Sequence, residues 1–406
     1  MTKTLTKETI LYAGLLFVAI AYIYGTTMNI LSTIACAICV LIYFILSKEK
    51  KWHIKSKLLY GFMLLYLLRI IGICWALDPA DGKVLIESNF SLLLFPLLFA
   101  MFDLKREMAD AILVWFVRSI LLFTVISLGC LVYYSSVLNI SLLEWITQAK
   151  GLYSYILNWS NFGAMVHPSY IALVTAFAAA ASIYLCFDKT AKHKTSLIET
   201  IVSVILFSIL IIYTGCRIVT LLLPLIFLLA AFIYLPFRRR INGILVLTSL
   251  ILFFTCITAI SKNQKFFKDP IRVQLYQMTL DAIKERPLFG YGTGSQKVIV
   301  EELPRAQKLG YDSIYPDVGH SHNQFLAEFL QYGVILGLVL PVLMLCILIL
   351  AWKQKNFLLL SFWLIEIGFM LVEGPFDTQK GITFFSFFAT FLIMCQNNRN
   401  PKLLQE

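Results

Sequence analysis

The segment DVGHSHNQFLAEFLQYGVILG, residues 317–337, sets His320 and His322 beside Asn323 at the mouth of a long apolar run, in a chain with only five histidines. A neutral imidazole, with an ordinary pKa of about 6.5, is the side chain best suited to take a proton from a hydroxyl near neutral pH. Asn323 could orient such a base. A metal is the other chemistry open to an HxH pair, but the pair supplies only two ligands, and neither a third His nor a Cys stands nearby in the sequence.

The cations that could hold an anion near such a base are Arg272 and Arg217. In KDPIRVQLYQMTLDAIKERPLFGYGTGS, Asp269 is a natural N-cap and Pro270 suits the first helical position, so a helix is predicted from there to about Glu285, stopping before Pro287. Arg272 then lies in the first turn, where the helix dipole disfavours a cation. A partner anion would resolve that conflict. Arg217 interrupts a 37-residue apolar stretch, Ile201 to Phe237, which as one helix would be about 55 Å long, well beyond a bilayer. The chain must fold back at Thr214 to Arg217. Arg217 is then either a single interfacial arginine with its head in water or part of an anion site, and we adopt the anion site.

Other candidates carry two readings each. The turn GYGTGS, with Gly290, Tyr291 and Gly292, is a plain turn or a cradle whose N–H groups hold phosphate oxygens. Arg69 and Arg118 fall inside apolar runs, where a charge is costly and tends to face the bundle or a cavity. Each either pairs with a carboxylate such as Glu87 or Glu366 or touches substrate. His167, in AMVHPSYIAL, is an interfacial histidine or a substrate contact.

Apolar helices must position these groups. Hydrophobic residues make up 59% of the 406 and charged residues only 14%, too little charge for a soluble domain of this size. Twelve apolar runs come near the roughly 20 residues that span about 30 Å of hydrocarbon: 8–25, 28–46, 58–76, 85–101, 110–133, 162–186, 197–214, 218–236, 241–260, 323–351, 356–372 and 381–396. They lack the alternation of barrel strands and should be helices. The expected fold is an all-α polytopic membrane protein in three parts: spans one to nine within 1–260, a large hydrophilic loop with amphipathic helices over 261–322, and spans ten to twelve with a tail within 323–406. A second loop helix is expected after Ser295. Lys3 and Lys7 before the first run mimic a secretion signal, but we read a span there. Cys36 and Cys39 form a CxxC inside a span and read as packing.

With the N-terminus inside, cytoplasmic segments collect nineteen Lys and Arg, while the short loops opposite hold four: Lys83, Lys150, Arg217 and Lys380. This asymmetry puts both termini in the cytoplasm and the large loop, with HSHN, outside. The formal charge of +11 is therefore mostly a topology signal and does not indicate nucleic acid.

Together, PIRVQLYQMTLDAIKERPLFGYGTGS and HSHNQFLAEFLQYGVILG resemble the O-antigen ligase and O-antigen polymerase superfamily, in which an Arg opens the helix before a Pro-Leu-x-Gly-x-Gly turn and a His-Asn motif precedes a span with Gly-x-x-x-Gly, here Gly333 and Gly337. DPADGKVLIESNFSLLLFPLLF also looks like that family. The resemblance implies a glycosyltransferase of the bacterial inner (plasma) membrane that takes a glycan from an undecaprenyl diphosphate carrier on the periplasmic side. In the ligase branch the acceptor is the lipid A core. Carried over residue by residue, Arg272 and Arg217 match arginines that bind the diphosphate and His322 the base, with His320 a further substrate contact. No cofactor is expected, and the polyprenyl tail needs a lipid-open groove that aromatic spans such as FWLIEIGFM could line. A polymerase using the same donor is the nearest rival, and a ligase modifying a protein such as pilin is another; modest outer loops favour the lipid A ligase. A polytopic transporter should show inverted repeats with broken spans, which are absent from the sequence. A non-catalytic scaffold would not need Arg and His gathered on one face.

Overall fold

The computed structural model describes residues 6–48, 52, 54, 56–142, 144, 167–234, 270–295 and 321–397, and no strand occurs among them. In chain order the helices are α1 (Lys7–Ala21), α2 (Thr26–Leu46), α3 (Leu58–Gly72), α4 (Pro79–Ser88), α5 (Ser91–Phe99), α6 (Arg106–Leu138), α7 (Pro168–Phe187), α8 (Leu197–Thr214), α9 (Arg217–Tyr234), α10 (Pro270–Glu285), α11 (Gln324–Gly337), α12 (Val339–Lys353), α13 (Phe357–Met370) and α14 (Gln379–Asn397). Among the described residues, eight helical segments are long and apolar enough to cross a membrane, or nine if the bent pair α11–α12 is one span. The run at 241–260, the helix after Ser295 and His320 lie outside the described residues.

Local chemistry explains the departures from twelve uniform runs. The fourth run is two helices, α4 capped by the Asp78 carboxylate on the N–H groups of Ala80 and Asp81, and α5 after a break at Asn89 and Phe90. The tenth is bent by 78° between α11 and α12. Within α11, Gly333 adopts φ 72° and ψ 178°, because the Leu288 carbonyl occupies the place where a Cβ would stand. Only glycine allows both that torsion and that approach. The Val334 N–H freed by the kink donates to the Pro287 carbonyl at 2.7 Å.

Helix α7 is the hub, buried over most of its length and packed against α6, α8, α9 and α13. Its AFAAAAS stretch lets neighbouring helices approach closely. Phe177 of α7 meets Phe362 of α13 and Phe388 of α14 at ring separations of 5.1 and 4.9 Å. The stretch FWLIEIGFM, expected to line a lipid-open groove, is instead almost wholly inside this core: Phe362, Trp363 and Phe369 are fully buried.

The intramembrane arginines also differ from expectation. Arg69 pairs with Glu328, not with Glu87 or Glu366, through both guanidinium nitrogens, with Nη1 to Oε2 at 3.0 Å. Both side chains are 1% exposed. Gln324 Nε2 donates to Glu328 at 2.8 Å, and Gln324 Oε1 accepts from the Phe376 N–H at 2.9 Å. The network thus ties α3 and α11 to the chain entering α14. Arg118 pairs with Glu199 at 2.9 Å. Breaking the buried pair by Arg69→Ala should destabilise the protein by about 3–5 kcal/mol, since it strands a buried carboxylate. The apolar replacement Arg69→Met with Glu328→Leu should cost less, and thermal unfolding of the purified variants checks both.

Candidate active site

One end of the bundle gathers the start of α7, the α8–α9 turn, α10, the residues before α11 and the connection from α13 to α14. Arg272, in the first turn of α10, and Tyr276, four residues on, share a helix face. The Tyr276 hydroxyl donates to the carbonyls of Leu371 at 3.0 Å and His322 at 3.4 Å. Asn323 caps α11 by accepting from the Leu326 N–H at 3.1 Å and gives its own amide N–H to the Leu371 carbonyl at 3.1 Å. The Gln324 N–H donates to the Glu373 carbonyl at 3.2 Å. These bonds join residues 322–324 to 371–373 and hold His322 at φ 50°, a left-handed conformation that a non-glycine residue keeps only when its surroundings impose it.

The junction presents Glu373. Its Oε2 lies 3.2 Å from His322 Nδ1, and its Oε1 lies 3.2 Å from Arg272 Nη2 and 3.3 Å from Ser169 Oγ. Burial alone would raise the Glu373 carboxyl, but the His322 hydrogen bond and charge, then Arg272 and His167, outweigh it and hold the group below the ordinary carboxylate range. Glu373 is thus an acceptor at neutral pH, and what its charge adds to stability is lost only as pH falls through that lowered value. His322 and Arg272 keep 25% and 31% of their side-chain surface exposed, so both can reach a ligand while Glu373 is buried behind them.

His167 borders the same cluster, and the turn that leads into Arg217 reaches it through Cys216. His167 caps α7, its Nδ1 accepting at 3.3 Å from the N–H of Ser169, the residue whose hydroxyl meets Glu373. Gly215, in the left-handed conformation, turns the chain between α8 and α9 as expected from the 37-residue stretch. Cys216 in that turn hydrogen-bonds Ser169 and feels the charges of Glu373 and Arg272. Arg217 follows it directly.

Two expected substrate contacts are placed elsewhere. Arg69 is saturated by Glu328, the Leu65 carbonyl and Asn89, and braces the site from behind. The turn holding Gly290, Tyr291 and Gly292 is a bracket and not a phosphate cradle: the N–H groups of Tyr291, Gly292 and Thr293 donate to the carbonyls of Leu330, Gln331 and Gly72 at 3.0, 2.8 and 3.1 Å. At Gly292 a Cβ would strike the Ala76 backbone. The Tyr291 hydroxyl bonds the Ala282 carbonyl. Sequence reasoning passed over Glu373, Ser169 and Tyr276. Glu373 had a signal, an acidic residue in VEGPFD at the end of the apolar run 356–372 that shares a side with HSHN.

Apolar helices that carry a histidine, two arginines and a carboxylate at one end define a multi-pass membrane protein with a polar site at the mouth of its bundle. Residues 202–341 match the family model described as O-antigen ligase (Wzy_C). The match supports glycan transfer of the O-antigen ligase or polymerase type. It spans Arg217, Arg272 and His322, whereas His167 and Glu373 lie outside it. No curated protein matches the chain.

Proposed function

We propose that the protein is a ligase that transfers a glycan from undecaprenyl diphosphate to the lipid A core on the periplasmic face of the inner membrane. The observation that carries the reading is the single Glu373 carboxylate, with one oxygen on His322 and the other on Arg272. An ionised carboxylate accepts the Nδ1–H of His322, which leaves Nε2 with the lone pair a base needs. His322 takes the proton of the acceptor hydroxyl as that oxygen attacks the anomeric carbon. The bond from that carbon to the carrier's phosphate oxygen breaks, and the configuration inverts. The departing diphosphate takes up the electron pair opposite Arg272 and Arg217, whose forked donors suit phosphate oxygens. Fixed cations aimed at developing charge are worth several kcal/mol. His167, beside Ser169 at the rim, is assigned to substrate binding together with Asn323 and His320.

A polymerase would use the same donor and leaving group and differ in its acceptor. Positive charge in the loops assigned to the cytoplasm supports placing this site on the periplasmic side, where both acceptors would meet it. Cells lacking the protein should keep carrier-linked glycan of normal chain length while their lipid A core stays bare. Accumulation of single repeats on the carrier would instead identify a polymerase, and substrate uptake into vesicles without a new glycosidic bond a transporter.

A further inference from the structure

At its far end α10 leads into an exposed apolar tip. Leu288 and Phe289 are 58% and 65% exposed, and the Trp75 indole N–H donates to the Phe289 carbonyl at 2.9 Å. The adjoining faces of α3 and α11 are apolar and exposed as well, through Ile71 and Ile335. Exposed aliphatic and aromatic side chains around a tryptophan at a helix end match the boundary between headgroups and hydrocarbon. The tip, α3 and α11 flank an open cleft of about 520 Å³ lined by Ile71, Trp75, Phe289, Gly290 and Leu336, with Arg286 the one charged residue among the described lining residues.

Arg286 is available to a ligand. Its guanidinium lies over the Tyr291 ring, 4.7 Å from the centroid, and it has no ion pair among the described residues. The neighbouring carboxylate, Glu285, receives the Tyr291 hydroxyl at 3.2 Å. An apolar slot alone would admit any lipid chain, but a forked cation at its mouth selects phosphate oxygens.

We propose that this cleft binds a net-anionic phospholipid, with one chain in the slot and its phosphate on Arg286. Arg286 and Arg272 stand at opposite ends of α10, about 20 Å apart along the helix. The lipid is therefore a second ligand, separate from whatever the Glu373 cluster holds, and the proposal does not depend on the ligase reading.

The test uses the full chain, delipidated in detergent and titrated with phosphatidylglycerol or phosphatidylcholine under native mass spectrometry. Wild-type protein should retain phosphatidylglycerol about fivefold better, the effect of one interfacial arginine on an anionic lipid. Arg286→Gln should erase that preference, Arg286→Lys should keep most of it, and Ile71→Trp, which fills the slot, should weaken both lipids. Equal retention of the two lipids by wild-type protein overturns the proposal, as does a preference that survives Arg286→Gln. Displacement by soluble glycerol 3-phosphate as effective as by the lipid also overturns it, because the cleft would then contribute nothing.

Discussion

His322→Ala is expected to lower glycan transfer by about 10²–10⁴-fold, the usual contribution of a positioned general base, while the protein still inserts and purifies normally. The His322 side chain is one quarter exposed, so its removal opens no core cavity. The loops around it are held by Tyr276, Asn323 and the Gln324 N–H, none of which depends on the imidazole. The measurement is single-turnover transfer from a purified carrier-linked glycan, with thermal unfolding as the control for structure. Transfer near the wild-type rate would remove His322 from the base role. A fall in rate matched by a fall in unfolding temperature would make its contribution structural.

The second large effect is expected at Arg272. Its guanidinium nitrogen sits 3.2 Å from Glu373, so the protein carries an internal anion where the diphosphate is assigned. Arg272→Ala should cost about 10²–10³-fold in kcat, the scale seen when one donor to a developing negative charge is removed. Arg272→Lys should recover only part of it, because an ammonium offers a point charge in place of a fork. If Arg272→Ala raises KM for the donor and leaves kcat unchanged, the arginine binds the ground state alone and the leaving-group role fails. Glu373→Gln is the companion experiment: it removes the charge that faces both His322 and Arg272 and should impair transfer even though Glu373 itself is buried.

Much of this site was legible in sequence because it depends on local rules. Pro270 starts α10 and the chain stops being helical before Pro287, which placed Arg272 in the first turn. The apolar stretch through Arg217 was too long for one span, which fixed the turn there. The apolar run read from residue 323 placed the start of α11 beside the histidines, and the Asn323 side chain caps that helix.

Pairings across the bundle could not be read in the same way. Arg69 and Glu328 are 259 residues apart, and nothing local distinguishes Glu328 from Glu87 or Glu366 as the partner. The glycines of GYGTGS are compatible with a plain turn or an anion cradle, and only the arrival of the Leu330, Gln331 and Gly72 carbonyls on the N–H groups of Tyr291, Gly292 and Thr293 makes the turn a bracket. Glu373 attracts no notice until the fold brings Arg272, Ser169 and His322 to its two oxygens.

By itself the sequence determined a polytopic helical membrane protein, the helix carrying Arg272 and the turn carrying Arg217, since hydropathy, caps and prolines act over a few residues. The tertiary structure alone decided which charges neutralise one another and which remain open to a ligand. Burial makes an unpaired charge costly, and the partner that removes the cost is chosen by packing between helices far apart in the chain.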